Sequence, residues 1–379
     1  MTSGRAPRHV LVVGGGIAGL AAALAFARRG ATVRVLEQAS ALAEVGAGLQ
    51  ITPNGAAVLR ALGLGEAAEA ASLRAQAVEP HDALSGRRIA HFDLGRVGGD
   101  YLFFHRADLL GLLHDSVRAA GLPIRTDARV AKVTREGVRL GDGEEIAADL
   151  IVGADGLHSV VRRHLVGGDR PFFTRQVAWR ALVPARQEPV ARIWMAPDRH
   201  VVTYPLRDGR LNLVAVRAEA AWSEEGWHHR DSPDALRRAF SDAAPALAAI
   251  LDRVGEVGRW GLFRHPIPER WHDGSAVLLG DAAHPTLPFL AQGANLALED
   301  AWVLAREAMR GDLDAYQAQR RPRVTRAIAA ANANARNYHL SGPARLVAHL
   351  GLGALGRLAP DAFLRRLDWL YRFDVTREG

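Results

Sequence analysis

Three glycines and one glutamate near the N-terminus have the spacing of a dinucleotide-binding motif. Gly14, Gly16 and Gly19 fit the pattern G-x-G-x-x-G. In such a motif the first glycine permits a tight turn, the second lets the backbone approach a pyrophosphate, and the third lets a helix pack on a strand. Glu37 follows near the offset at which a carboxylate accepts hydrogen bonds from a ribose diol. We therefore predict an adenine dinucleotide site, and the motif does not distinguish FAD from NAD.

A histidine and a tyrosine in the segment "HVVTYP" (residues 200–205) could take part in proton transfer. His200 and Tyr204 face the same side of a strand, because side chains alternate along a strand. An imidazole and a phenol could then line one wall of a pocket and serve as a base or proton relay. A single strand histidine is more often a structural group. The sequence leaves both roles of His200 open.

Composition excludes several other kinds of chemistry. The 379 residues include no cysteine, which excludes disulfides, thiolate nucleophiles and cysteine-bound metals and suits a cytoplasmic location. We expect no metal, because no histidine spacing suggests ligands, and no hydrolase, because no G-x-S-x-G motif occurs. No apolar run reaches the roughly 18–20 residues of a membrane span. The net charge of +7 comes mostly from scattered arginines, so we predict no nucleic-acid binding.

The surrounding elements predict an α/β fold. The glycine motif lies between two apolar strands, the first over residues 9–13 and the second ending at Glu37. Two later apolar strands end at Asp155 and at Gly280 with Asp281, and Arg106 heads an amphipathic helix. A further helix is expected to begin near Gly293.

The middle of the chain has a different pattern. Residues 171–216 contain alternating apolar and polar runs separated by turn signals, including Asp208-Gly209. This pattern predicts a separate β-sheet inserted between parts of the cofactor domain. A helix is expected after Ser232, an N-cap residue followed by Pro233.

Three segments together resemble the group A flavoprotein monooxygenases, a family of aromatic hydroxylases like p-hydroxybenzoate hydroxylase. They are the glycine motif, "GADGLHS" (residues 153–159) and "GDAAHPTLPFLAQGAN" (residues 280–295). The segments "YHLSGP" (residues 338–343) and "DWLY" (residues 368–371) are similar to the branch that acts on salicylate, 3-hydroxybenzoate and 6-hydroxynicotinate.

The resemblance implies a domain organisation. We expect a Rossmann-like FAD-binding domain of the glutathione reductase type, formed by residues 1–75, 100–170 and 270–340. An inserted β-sheet substrate domain would comprise residues 76–99 and 171–269. A C-terminal helical segment, residues 341–379, would follow.

The resemblance also implies roles for individual residues. Glu37 would hold the adenosine ribose, Asp281 the ribityl hydroxyls, and Arg106 the pyrophosphate or ribityl chain. Asp155 is expected to serve FAD and NAD(P)H. The predicted FAD contacts are Gly14, Gly16, Ala18, Gly19, Glu37, Gln50 of the glycine-rich loop 46–54, Arg106, Asp155, Gly280, Asp281, Pro288, Gly293, Ala294 and Asn295. The predicted catalytic residues are His200, Tyr204 and Gln292, whereas His284 is expected to be structural.

The activity implied is hydroxylation of a phenolic aromatic acid. FAD would take electrons from NADH or NADPH, and a flavin hydroperoxide formed with dioxygen would attack the ring. The expected partners are these small molecules, with a homodimer expected by analogy. Two alternatives stay open: hydroxylation or epoxidation of a larger or non-aromatic natural product, and a non-enzymatic flavin-binding module. The sequence does not choose among Arg180, Arg207 and Arg217 as the anchor of a substrate carboxylate.

Overall fold

The structure is a computed structural model that describes residues 5–42, 47–219 and 230–377. Gly46, with which the predicted loop 46–54 begins, lies outside these ranges. The strands are β1 (His9–Val13), β2 (Thr32–Leu36), β3 (Gly48–Ile51), β4 (Leu73–Arg74), β5 (Ala77–Asp82), β6 (Phe92–Asp93), β7 (Leu102–His105), β8 (Ile124–Arg125), β9 (Val130–Val133), β10 (Gly137–Leu140), β11 (Glu145–Ala147), β12 (Leu150–Gly153), β13 (Phe172–Pro184), β14 (Val190–Ala196), β15 (Arg199–Pro205), β16 (Arg210–Ala218), β17 (Arg230–Asp231), β18 (Val257–Arg264) and β19 (Ala276–Leu278).

The helices connect and cover these strands. They are α1 (Ile17–Ala27), α2 (Pro53–Ala61), α3 (Gly65–Ala70), α4 (Arg106–Ala119), α5 (Val160–Val166), α6 (Pro233–Ala239), α7 (Pro245–Leu251), α8 (Gly293–Ala308), α9 (Leu313–Tyr338), α10 (Gly342–Leu358), α11 (Pro360–Arg365) and α12 (Asp368–Tyr371). No helix in the described ranges is both long and apolar enough to cross a membrane.

A five-stranded parallel sheet brings together the segments that carry the predicted cofactor motifs. Its strand order is β19-β12-β1-β2-β8, and every neighbouring pair is parallel. The carboxyl ends of parallel strands meet at one edge, which is where α/β folds bind ligands. The glycine motif, Glu37, Asp155 and the pair Gly280-Asp281 all follow strands of this sheet.

Apolar helices cover the parallel sheet. Helix α1 is buried along nearly its whole length and packs against α8 and α4. Its sequence "IAGLAAALAFA" is rich in alanine, so the helix can approach its neighbours closely. Strands β1 and β12 are buried on both faces, as expected for a parallel sheet between helices.

An eight-stranded sheet forms the second layer. Its order is β17-β18-β13-β16-β15-β14-β5-β6, and all pairs except β14 with β5 are antiparallel. The predicted hairpin around Asp208-Gly209 is confirmed by the pairing of β15 with β16. Strands β5 and β6 lie in the same sheet as β13–β18, although they come from an earlier part of the chain. The domain boundaries themselves stay a prediction.

Several local predictions are confirmed. Helix α4 begins at Arg106, α8 begins at Gly293, and α6 follows Ser232, whose hydroxyl accepts a hydrogen bond from the Asp234 amide. The α/β fold class is confirmed as well, since parallel and antiparallel sheets occur with helices on the parallel one.

Candidate active site

The glycine motif makes the closest backbone approaches in the parallel sheet. Gly14 has a φ of +106°, and a Cβ atom there would lie 2.4 Å from the Ala154 carbonyl oxygen. A Cβ atom on Gly19 would lie 1.9 Å from the Gly14 carbonyl oxygen. Both positions therefore require glycine. A Cβ atom on Gly16 would meet nothing within 4 Å, so the space beside this turn is open to a ligand.

The N-termini of α1 and α8 offer unpaired amides near this turn. No side chain in the described residues caps either helix. The first amides of a helix lack partners within the helix and carry its positive dipole end, which suits phosphate or an anionic ring edge. Gly280 brings the two helices together: its φ is +58°, and a Cβ atom there would lie 3.1 Å from Ala18 Cβ and 3.3 Å from Ala297 Cβ.

Glu37 lies at the carboxyl end of β2, next to the glycine turn. Its carboxylate accepts hydrogen bonds from the amides of Gly15 at 2.7 Å and Ala39 at 2.8 Å. Each carboxylate oxygen has a further lone pair. The side chain is half-buried, so it can still accept a hydrogen bond from a sugar hydroxyl.

Asp281 and Arg106 lie close enough to interact electrostatically. Desolvation raises the pKa of Asp281 above its ordinary value, whereas the charges of His284 and Arg106 lower it in part. The Asp281 side chain is exposed to solvent although protein atoms crowd it. An exposed carboxylate beside an arginine at a strand end can bind hydroxyl groups.

Asp155 is engaged in the first turn of α5. It accepts hydrogen bonds from the Val160 amide at 2.7 Å and from the Ser159 hydroxyl. Ser159 in turn accepts a hydrogen bond from the Arg162 amide and caps the helix. Desolvation nevertheless raises the pKa of Asp155. The structure thus gives Asp155 a capping role, and its contact with FAD or NAD(P)H stays a prediction.

A buried polar network supports the start of α8, and the sequence did not reveal it. Its central ions are Glu299, Asp300 and Arg320, each at most 1% exposed. Arg320 contacts Glu299 at 2.5 Å and Asp300 at 2.7 Å. Asp300 also contacts His284 and accepts a hydrogen bond from the Gly280 amide. The adjacent carboxylates Glu299 and Asp300 on α8 were the available signal, but the residues that pair with them lie on other elements.

Gln292 and Asn295 belong to the same network. The Gln292 amide donates to the Thr52 hydroxyl at 3.0 Å and accepts from Asn54 at 3.2 Å. The Asn295 amide group donates to the Gln50 carbonyl oxygen at 3.0 Å. These bonds attach β3 and α2 to the start of α8. Gln292 is only 4% exposed, and its catalytic role stays a prediction.

Gly293 and Ala294 are the first two residues of α8. A Cβ atom on Gly293 would lie 2.8 Å from the Thr286 hydroxyl oxygen, so glycine lets the loop fold back on the helix. Ala294 is partly buried against the core.

His200 is buried in β15 and paired with a second histidine. Its Nδ1 atom lies 2.8 Å from Nε2 of His339, so one of the two nitrogens carries a shared hydrogen. Desolvation and the His339 charge hold the pKa of His200 well below its usual value. The ring packs against Phe289 and Tyr338, with centroids 5.4 and 5.2 Å away.

Tyr204 is buried further along β15, 4.9 Å from the ring of Phe103. Desolvation raises the pKa of its phenol, and a hydrogen bond with the Gln50 side chain opposes this in part. The Tyr101 hydroxyl also donates to Gln50, at 2.6 Å. Gln50 therefore connects two phenols.

A cavity of about 540 Å³ lies between the eight-stranded sheet, the loop before α8 and the C-terminal helices. The loop contributes Pro288, Phe289, Leu290 and Ala291, and the sheet contributes mainly apolar side chains of β5, β14 and β15. Gln50, Tyr101, Tyr338 and Tyr371 add polar groups. His200, Tyr204 and Gln292 do not line the cavity. Phe289 and Tyr338 do line it, and both pack against His200.

The residues present fit FAD. The close approaches at Gly14, Gly19 and Gly280 leave two uncapped helix ends facing one sheet edge, with Glu37 and Asp281 beside it. This set suits a pyrophosphate flanked by two groups that carry hydroxyls.

Comparisons with known proteins agree with this fit. A model of the FAD binding domain family matches residues 8–331. The chain is 35% identical over its whole length to 3-amino-4-hydroxybenzoate 2-monooxygenase of Streptomyces platensis, covering 98% of that protein. It is also 35% identical, over 99% of its length, to 3-hydroxybenzoate 6-hydroxylase of Polaromonas naphthalenivorans, again covering 98%.

Solved structures share the fold. A salicylate hydroxylase substrate complex has a TM-score of 0.83 at 24% identity, covering 98% of this chain and 97% of that one. Klebsiella pneumoniae HpxO complexed with FAD and uric acid has a TM-score of 0.81 at 24% identity, covering 95% of each chain. The predicted resemblance, fold and FAD cofactor are thereby confirmed. The chain belongs to the FAD binding domain family, in the branch formed by the FAD-dependent aromatic monooxygenases.

Proposed function

We propose that this chain uses NAD(P)H and dioxygen to hydroxylate a phenolic acid of the hydroxybenzoate type. The observation that carries the proposal is the cavity of about 540 Å³ that meets the loop Pro288–Ala291 just before the N-terminus of α8. An aromatic substrate in this cavity would lie beside the segment expected to contact the flavin ring. The names of the relatives support the substrate class.

Bound FAD supplies the redox chemistry that takes electrons from NAD(P)H and activates dioxygen. The protein's own contribution is to bind, orient and shield. Apolar side chains of β5 and β14 would surround the ring and exclude water. The uncapped N-terminus of α8 would stabilise negative charge at the adjacent edge of the cofactor.

A proton pathway from the substrate phenol is part of the proposal. His200 is neutral at pH 7 because desolvation lowers its pKa, so it can carry a proton only transiently, as one member of a chain. Tyr338 borders the cavity and also contacts His200. We infer that His200, paired with His339, is the inner end of a relay and not a direct substrate contact.

Replacing His200 tests the relay. His200→Ala should slow hydroxylation at saturating substrate by about tenfold or more while FAD stays bound, because a positioned base contributes roughly 10²–10⁴-fold in rate. Single-turnover product formation and the FAD content of the purified protein are the measurements. Unchanged turnover with unchanged coupling would remove the relay from the mechanism.

A panel of phenols tests the proposed reaction. NADH or NADPH oxidation should rise when the substrate is added, and chromatography should show a product heavier by one oxygen. Coupled product is the criterion, because an aromatic effector can stimulate NAD(P)H oxidation without being hydroxylated. A yellow protein that oxidises NAD(P)H with no hydroxylated product across the panel would contradict the proposal.

A larger phenolic substrate is the second candidate. The cavity volume lies within the range of about 300–1,000 Å³ that is typical of sites for drug-sized ligands, so it has room for more than a single ring. The panel should therefore include bicyclic and polyketide-like phenols. A higher kcat/KM for these than for hydroxybenzoates would favour the second candidate.

Location and assembly complete the proposal. The absence of cysteine from the sequence supports a cytoplasmic enzyme. A homodimer is proposed by analogy, and light scattering of the purified holoenzyme would measure its mass. Cell fractionation would test the location.

A further inference from the structure

The charges around the cavity are unevenly distributed. Arg366 is the single permanent cation among the described residues that line it, and no carboxylate lines it. The other basic lining residue is His349. Desolvation lowers the pKa of His349, and the imidazole is therefore neutral at pH 7. A substrate anion that enters this cavity meets one positive charge.

Arg366 is available to a ligand. It directly follows α11 and precedes α12, and its side chain is exposed as well as lining the cavity, which places it at the cavity mouth. Its guanidinium makes no ion pair or hydrogen bond with any described residue. A guanidinium matches a carboxylate with two parallel hydrogen bonds.

The arginines suggested by the sequence do not line the cavity. Arg217 contacts Glu219 at 3.0 Å and stacks on Trp179. Arg180 lies over the ring of Trp260, with its Cζ atom 5.1 Å from the centroid. Arg207 follows β15 in the hairpin turn. The lining of the cavity therefore favours Arg366 over these three arginines, a distinction that the sequence alone did not provide.

We propose that Arg366 binds the carboxylate of the aromatic substrate and so determines the preference for acids over neutral phenols. The inference rests on the proposed function, because it requires a phenolic acid as substrate. The carboxylate would lie at the mouth, and the ring would fill the apolar interior formed by the sheet and the loop Pro288–Ala291. Arg366 is a specificity residue and takes no part in the redox steps.

Ligand binding to the oxidised holoenzyme tests this role without turnover. Binding of 3-hydroxybenzoate and of the neutral 3-hydroxybenzyl alcohol can be followed by the change in the visible absorbance of the bound flavin. In Arg366→Met, the Kd for the acid should rise about tenfold or more, and the Kd for the alcohol should change less than about threefold. Arg366→Lys should retain part of the acid affinity, because it keeps the charge but loses the planar fork.

A neighbouring arginine provides the matched control. Arg365 is exposed and adjacent in sequence but does not line the cavity. Arg365→Met should leave both Kd values unchanged, which excludes a general effect of net charge. FAD content and thermal unfolding of each variant establish that the fold is intact.

The outcomes separate this inference from the proposed function. If the wild-type protein binds and hydroxylates phenolic acids but Arg366→Met keeps full acid affinity, the assignment of Arg366 is wrong. The assignment is also wrong if the Kd values for the acid and for the alcohol rise equally, because that result indicates a change of cavity shape. If the wild-type protein neither binds nor hydroxylates any phenolic acid, the proposed function itself is wrong.

Discussion

Asp281 carries the carboxylate that the proposed contact with the ribityl hydroxyls of FAD requires. The apolar strand ending in Gly-Asp predicted a carboxylate at the edge of the sheet, and β19 does end beside it. The charge of Arg106, from the start of α4, acts on the same carboxylate. The sequence could not reveal this proximity, because it depends on β19 and α4, which are distant in the chain.

Replacing Asp281 should weaken FAD binding. Asp281→Ala removes a charged acceptor, and a hydrogen bond to a charged group is worth about 1.5–3 kcal/mol, or roughly 10- to 150-fold in affinity. The flavin-to-protein absorbance ratio after purification, followed by FAD titration, gives the change. Asp314→Ala is the control, because Asp314 is a 95% exposed aspartate on α9. Full FAD occupancy in Asp281→Ala would contradict a ribityl contact.

The histidine pair should make stability depend on pH. Desolvation lowers the pKa of His339 to about 4, against 6.5 in the unfolded chain. Between these values the unfolded state binds more protons than the folded state, so the free energy of unfolding decreases as pH falls below about 6.5.

Replacing His339 tests this dependence. Relative to His339→Gln, the wild-type protein should lose about 1 kcal/mol of unfolding free energy between pH 7.5 and pH 5.5, because one proton gives about 1.4 kcal/mol per pH unit. Denaturant unfolding at the two pH values measures the difference. A difference between the two proteins that does not change with pH would mean that His339 keeps an ordinary pKa.

The periodicity of the sequence predicts where several helices begin. The starts of α4, α6 and α8 follow from an arginine-headed amphipathic run, an N-cap serine and a glycine after a polar loop. The network between α8 and α9 was not predictable in the same way. Glu299 and Arg320 are 21 positions apart and lie on different helices, and charged residues in a helix normally indicate a solvated face.

Removing the shared cation of the ion network should strongly destabilise the fold. Arg320→Met leaves Glu299 and Asp300 buried without their shared cation, and breaking a buried pair in this way costs about 3–5 kcal/mol. Arg139→Met provides the same substitution in an exposed pair with Glu145 and should cost less than about 1 kcal/mol. Thermal and denaturant unfolding of the holoenzymes compares them. If Arg320→Met and Arg139→Met lose the same unfolding free energy, Arg320 stabilises the fold no more than an exposed arginine does.

The C-terminal helices form one side of the cavity, a role that the sequence did not reveal. They were expected as a separate segment, yet α10, α11 and α12 supply part of the cavity wall. Hydrophobic patterning could identify these helices but not what they cover. The sheet holds α10 through Asp82, which contacts Arg345 at 2.6 Å and His349 at 3.4 Å.

Loosening this attachment should admit water and uncouple the reaction. Asp82→Asn keeps an acceptor for the turn amides of Leu84 and Ser85 but removes the charge that holds α10. Water that enters the cavity favours release of hydrogen peroxide before the substrate is hydroxylated. The amount of hydrogen peroxide formed per NAD(P)H should therefore rise severalfold while FAD stays bound. Amide hydrogen exchange over residues 342–358 should become faster in the same variant.

Asp361→Asn, in an exposed pair with Arg96 at 2.8 Å, should change neither quantity. Faster exchange without peroxide release would mean that α10 does not seal the cavity, and unchanged exchange would mean that Asp82 does not hold the helix.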